Sequence, residues 1–270
     1  MNNNIKHLIA GLALAALAPV AHAADNTWAG VRQSGTLRCG AATSEPVVVR
    51  DVRTGQYSGP FAALCEKFAK EVLGVKAEFI DTTWGNIVAG VQTGRWDIAM
   101  ALDRTPERES AITFTTAVVR TSTTLVYNKA NPKIPAGSSA VADIDKPNIT
   151  IAVMQGSSID RDMTEVIKRA RILRLPDSDG VRLALISRRA DMLADASAAN
   201  AIFLAANPDW SVPYDLQPPL TQMDMSLGLN KATPEADVAE LNRFIEREKA
   251  AGTVQANFDA AVQQSVQNAK

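Results

Sequence analysis

The chain has 270 residues, with 28 basic and 29 acidic side chains for a net charge of −1, and 46% of it is hydrophobic. That size and apolar share are enough to build sizeable cores, while the even charge balance leaves no basic footprint for nucleic acid or anionic lipid. Only two histidines and two cysteines are present.

The chain opens with Lys6 and His7, an apolar run from Leu8 to Ala18, and then Ala21-His22-Ala23, the small-x-small pattern of a secretory cleavage site. The run is too short to span a bilayer. The expectation is a leader over residues 1–23, cut after Ala23, and an exported periplasmic chain without membrane insertion or a lipid-anchoring cysteine. Cleavage removes His7, His22 and one basic side chain, Lys6, so 27 basic groups face 29 acidic ones. With no histidine left, Ser-His-Asp and Cys-His nucleophilic sites and a histidine-ligated zinc are all excluded.

Short β-rich runs then alternate with helical patterns, which predicts parallel sheets with crossover helices. Thr36–Ala41 reads as a strand. Gly59-Pro60 introduces a helix from Phe61 to Leu73 that Gly74 ends. Lys76–Ile80 is the next strand, Thr82 or Thr83 caps a helix to Gln92, and Ile98–Ala101 is a third strand, together a βαβαβ unit. A second series follows: strands Thr123–Tyr127 and Ile149–Met154, a helix from Gly156-Ser157-Ser158 to about Arg169, and strand Arg171–Leu175. It continues with a helix capped by Asp177 or Ser178, a short strand Met192–Ala194 and a helix from Ser197 to Ala205. Asp224–Asn230 reads as a strand, and Val238, Leu241, Phe244, Ile245 and Glu248 mark a helix that Gly252 stops.

Cys39 lies in the first strand, and Cys65 shares a helical face with Phe61, Leu64, Phe68 and Val72. A strand beside its own crossover helix can bring two Cα atoms within bridging distance, and exported proteins seldom keep paired thiols free. A structural disulfide is expected. Redox chemistry would want a C-x-x-C spacing, which is missing. Asp177-Ser178-Asp179-Gly180 resembles the start of a calcium loop, but no glutamate stands at its twelfth position. No metal site and no cofactor are expected, and no phosphate-binding glycine motif appears.

The densest stretch is Gln92–Thr113, where Trp96 leads an apolar strand into a polar turn closing with Arg108. A guanidinium just past the C-terminal end of a buried parallel strand faces the crevice where open α/β sheets bind ligands, and its planar fork suits a carboxylate. Thr83-Trp84 with Ile87, Val88 and Val91 before Gly94 and Asp97 forms one motif. Thr105-Pro106-Glu107-Arg108 and Gly156-Ser157-Ser158 form two more. In order and spacing they resemble the periplasmic solute-binding proteins of amino-acid ABC importers, family 3, across nearly the whole chain after the leader.

That resemblance implies an α/β, two-lobed, type II periplasmic-binding-protein-like fold. Each lobe is a mixed, mainly parallel sheet flanked by helices, the two joined by a hinge. Lobe 1 comprises 24–121 and 226–270, and lobe 2 comprises 122–225. It implies that Arg108 clamps a ligand carboxylate and that Gly156, Ser157 and Ser158 supply donors from a helix N-terminus, with an ordinary N-cap as the plain alternative for the serines. Trp84 falls where the family sets an aromatic against the ligand, though a place in the core would explain it equally. Asp195, after the run Met192–Ala194, falls near the family's acceptor for the ligand ammonium, one residue closer to Asp191 than the usual pattern.

Other departures stand beside these. The segment from Asp97 to Arg108 is one residue short, with Ala101 and Asp103 where small hydroxyl residues are common. Glu45 and Asp103 are two extra carboxylates, either meeting a cationic ligand group or lying as solvated loop acids. The implied role is delivery of a small carboxylate-bearing solute, an amino acid or derivative, to an inner-membrane permease by a monomer. A periplasmic cyclohexadienyl dehydratase on the same fold, with Asp103 or Glu45 as acid, is the enzyme alternative; reporting to a membrane sensor is a third.

Overall fold

A computed structural model describes residues 27–135, 137–220 and 222–268, so the expected leader lies outside the described residues. Its strands are β1 (Thr36–Ala41), β2 (Val49–Arg50), β3 (Tyr57–Ser58), β4 (Lys76–Asp81), β5 (Ile98–Asp103) and β6 (Thr113–Phe114). There follow β7 (Val119–Asn128), β8 (Thr150–Met154), β9 (Arg171–Leu175), β10 (Met192–Ala196), β11 (Ser211–Tyr214) and β12 (Gln222–Leu229). The main sheet runs β4-β1-β5-β12-β7-β10-β8-β9. In the first half β4, β1 and β5 are parallel and β12 is antiparallel; in the second β9, β8 and β10 are parallel and β7 is antiparallel.

β7 belongs to both halves. Its residues Val119 to Ser122 pair with β12 and Thr123 to Tyr127 pair with β10. Each half has its own apolar clusters: Leu37, Phe61, Phe68, Met100 and Phe244 in the first, Leu125, Ile151, Val153, Met163 and Met192 in the second. Cys39 and Cys65 are joined by a disulfide inside the first cluster, their Cα atoms 6.9 Å apart. Closing a loop of that length contributes roughly 3 kcal/mol in the chain-entropy account.

The expected elements appear, several with shifted ends. The first long helix is Pro60–Phe68 and finishes as a π-helical turn, Ala69–Leu73, before Gly74 at φ 70°. The next helix begins only at Ile87, because Asn86 and Ile87 donate to the Thr83 carbonyl at 3.0 Å and turn Trp84–Asn86 instead. β5 extends to Asp103 and β10 to Ala196, so Asp195 lies within a strand, opposite Thr124 of β7, and not after it. The Gln-rich helix Thr253–Asn268 was not expected beyond Gly252. It packs on the helix Ser197–Ala206 of the second half and on helices Pro60–Phe68 and Glu235–Ala250 of the first.

Trp96 fixes the strand that leads to the cleft. Its indole is 1% exposed and donates to the Ile87 carbonyl at 3.1 Å, while neighbouring Asp97 takes Arg38 of β1 at 2.6 Å. A Cβ at Gly40 would stand 2.6 Å from the indole nitrogen, and one at Gly90 would stand 1.9 Å from Cζ2. Alanine in the helix Ile87–Gln92 would gain about 1 kcal/mol of propensity. A wedged, fully buried ring cannot yield by so much, and overpacking costs about 1–3 kcal/mol or more. Gly90→Ala should therefore lower the urea midpoint, followed by tryptophan fluorescence; an unchanged or raised midpoint would show that Trp96 has room to move.

Candidate functional site

The C-terminal ends of β5 and β10 and the N-terminus of helix Ser158–Val166 converge where the halves meet. β5 reaches this place through a bulge, since Met100 and Ala101 together oppose Leu227 of β12, and Ala101 takes the left-handed φ of 55°. Such a conformation costs a non-glycine residue on the order of 1 kcal/mol and re-aims the strand beyond it. Ala101 itself is 1% exposed in the first core, so its side chain stands apart from the cleft group.

Past β5, Thr105 caps the short helix Pro106–Ala111, its hydroxyl accepting from the Arg108 N–H at 3.3 Å. The arginine is thereby folded back toward the strand end. It is 7% exposed, and Nη1 donates to the Asp103 carbonyl at 3.1 Å. Among the described residues this is the guanidinium's one hydrogen bond, and no carboxylate forms an ion pair with it. Burial pulls the Arg108 pKa down, partly offset by the charge of Asp103.

Asp103 is 6% exposed. One carboxylate oxygen accepts a short hydrogen bond from the Ser158 hydroxyl across the cleft, and the other, Oδ1, is buried without a partner among the described residues. Asp195 is also 6% exposed and accepts from the Ala196 N–H at 2.7 Å. Burial raises both carboxyls, Asp195 to about 6, with the charge of Asp103 adding to the rise at Asp195.

The glycine–serine element divides its work. Gly156, at φ 74°, donates its N–H to Asp160 at 3.1 Å, and a Cβ on it would lie 3.1 Å from the Gly85 nitrogen of the opposite half. Ser157 is the N-cap, accepting from Asp160 N–H at 3.1 Å and donating to the Met154 carbonyl at 2.8 Å. Those partners occupy the Ser157 hydroxyl and the Gly156 N–H, so of the two serine hydroxyls only that of Ser158 reaches across. The Trp84 ring packs against apolar clusters of both halves and also lines the cleft, with Nε1 buried and unpartnered among the described residues.

Glu45 is neither solvated nor free. It accepts from Arg182 of the second half at 2.6 Å, the side chains 24% and 19% exposed. The helix carrying Arg182 therefore turns one guanidinium inward. Arg161 makes another link, to the Thr105 hydroxyl at 3.1 Å and to Glu107 at 3.5 Å. Neither arginine announced itself locally; Arg182 borders the buried Val181 and Leu185, while its partner lies 137 residues away.

Two cavities have walls from both halves. One of about 440 Å³ is lined by Trp84, Gly85, Arg108, Gly156, Ser157 and Arg161. Another of about 300 Å³ is lined by Glu45, Thr121, Ala196, Ser197, Met225 and Phe258. Asp103 adjoins the first through Arg108 and Ser158, and Asp195 adjoins the second through Ala196. The arrangement suits a small guest with an anionic end for Arg108 and donor groups for the acids.

The raised Asp195 carboxyl has a consequence for stability. Its value moves from 3.8 to about 6, so between those pH values the folded chain keeps a proton that the unfolded chain releases. Stability contributed by the protonated form is complete below about pH 4 and is lost as pH rises through 6. Urea unfolding of wild type minus Asp195→Asn should fall by on the order of 3 kcal/mol from pH 4 to pH 7. A flat difference would mean that water or a cation reaches the carboxylate.

Comparison with known proteins fits this geometry. The family model for bacterial extracellular solute-binding proteins, family 3, matches residues 37–262. A curated relative, the cyclohexadienyl dehydratase of Pseudomonas aeruginosa, is 25% identical over 224 residues, 81% of either chain. The crystal structure of an ancestral amino-acid-binding protein, AncCDT-1, described as a precursor of cyclohexadienyl dehydratase, superposes with a TM-score of 0.78 at 28% identity, covering 88% of this chain and 100% of that one. An amino-acid ABC transporter substrate-binding protein of Streptococcus pneumoniae bound to L-arginine has the same fold, at TM-score 0.78 and 20% identity, covering 88% of this chain and 99% of that one. The fold is that of the type II periplasmic binding proteins, and the chain belongs to the bacterial extracellular solute-binding proteins, family 3.

Proposed function

We propose that this chain is the periplasmic substrate-binding component of an ABC importer, capturing a small carboxylate-bearing solute, an amino acid or close derivative, for delivery to a membrane permease. The observation that carries the reading is Arg108: a guanidinium almost wholly removed from water with no protein carboxylate paired to it. Buried charges are ordinarily paired, and a bidentate carboxylate is the partner its geometry favours. Asp195 would receive the ligand ammonium, Ser158 would close on the guest from the second lobe, and Trp84 would wall its side chain. The lobes, 24–121 with 226–270 and 122–225, would swing about the two chain crossings at 121–122 and 225–226. Among the described residues no helix is long and apolar enough to cross a membrane.

Closure then follows as a population shift, since the contacts to both lobes exist together only when the cleft is shut. A micromolar dissociation constant, about −8 kcal/mol, is ordinary for such a site. A thermal-shift screen over amino acids, opines and small carboxylates should give one class that raises the melting temperature, because a guest selective for the folded state stabilises it. Arg108→Ala should weaken that guest by about 100-fold or more in calorimetry. Affinity unchanged by that substitution would remove the basis of the reading.

A lyase is the second reading, favoured by the dehydratase relative and by Asp103, a buried carboxyl whose raised pKa suits a general acid. Incubating the protein with prephenate or arogenate and following the absorbance of an aromatic product decides it. Transport predicts no turnover; catalytic turnover abolished by Asp103→Asn would establish the enzyme.

A further inference from the structure

Among the described residues two ion pairs reach across the cleft, and both take the arginine from the second half and the glutamate from the first. They differ in depth. Arg161 meets Glu107 at 3.5 Å where that glutamate is 81% exposed, so water and salt remove most of the attraction. Arg182 meets Glu45 at 2.6 Å with both side chains largely covered, where screening is weaker. Its helix, Ser178–Ile186, is capped by Asp177, which accepts from the Gly180 N–H at 2.7 Å, and is seated by Val181 and Leu185 in an apolar cluster of the second half. The Arg182 Nη1 donates to Glu45, while Nη2 is buried and unpartnered among the described residues. Two other acids face this arginine: Asp179 on its own helix, 3.9 Å away and 96% exposed, and Asp195 of β10, within electrostatic reach on the same half.

We propose that Glu45 and Arg182 form an electrostatic latch that draws the empty cleft shut and fixes the register in which the halves meet. The latch rests on the hinge between lobes proposed above and is independent of what the guest is. Releasing it strands no charge. Arg182 keeps Asp195 on its own half, and Glu45 returns to water as a loop acid. A buried pair without those fallbacks would act as a rivet, because parting it leaves a charge uncompensated in a medium of low dielectric. Shutting the cleft excludes water from the pair and strengthens it, so the gain belongs to the closed state. Half-sealed pairs of this kind bias an equilibrium by about fivefold and do not lock it. Arg161 and Glu107, which solvent reaches, add less.

Small-angle X-ray scattering of the mature chain, refolded from denaturant to strip any retained guest, reads the swing. At about 0.02 M salt the wild type should be compact. At about 0.5 M, where the Debye length falls from ~20 Å to ~4 Å, its radius of gyration should rise on the order of 1 Å above the ~18 Å of a compact chain this long. Arg182→Glu should show the larger value already at low salt, and adding Glu45→Arg should bring the compact value back. Circular dichroism checks the folding of each, and Glu45→Gln should open the chain without reversing a charge. Ser158→Phe sets a ring into the 2%-exposed contact with Asp103 and serves as a wedge. Arg182→Glu as compact as the wild type overturns the latch, as does a double exchange no more compact than Arg182→Glu alone, or a wild type as extended at low salt as the wedged variant. If the wedge opens the chain and Arg182→Glu does not, the latch alone falls; if neither opens it, the hinge falls with the latch.

Discussion

Charge held away from water without an ion-pair partner among the described residues is the constraint on which the cleft depends. Removing an ionised side chain from solvent costs several kcal/mol even after relaxation, and a fold tolerates it only where something completes the circuit. The structure places Arg108 in that position through a chain of causes. Trp96 wedges between Gly40 and Gly90 and holds β5 in register. The bulge at Ala101 re-aims the strand, and the Thr105 cap folds the arginine back against the Asp103 carbonyl. Each step serves a guanidinium that the protein itself does not neutralise.

Beside the apolar packing of Trp84, three polar contacts draw the halves together. Ser158 meets Asp103, Arg161 meets Thr105, and Arg182 meets Glu45. Pairs of this kind contribute little while water competes for them, typically under about 1 kcal/mol, and more once sealed. A latch so built is weak alone. Under the proposed function, the balance between open and shut would rest on the guest's differential contacts.

Much of this was legible in the sequence because it is local. Strand β1, the glycine at the end of the first long helix and the chemistry of the Thr105-to-Arg108 turn all rest on neighbours within a few residues. Asp195 illustrates the limit. The run Met192–Ala194 ends where apolar side chains end, but pairing with β7 carries the strand on to Ala196, and only that ladder reveals it. Arg182 and Glu45 are two ordinary surface charges until the halves meet. The last helix was hidden for another reason: Gly252 does end one helix, at φ 73°, and a second begins at once with few large apolar residues to mark it.

That last helix changes how the two halves relate. Besides the two covalent crossings, Thr253–Asn268 lies along Ser197–Ala206 of one half and along Pro60–Phe68 and Glu235–Ala250 of the other. Any gaping of the cleft has to slide or peel this brace from one of its seats. In the proposed hinge motion the tail of the chain would be a mechanical member of the joint, holding both halves at once.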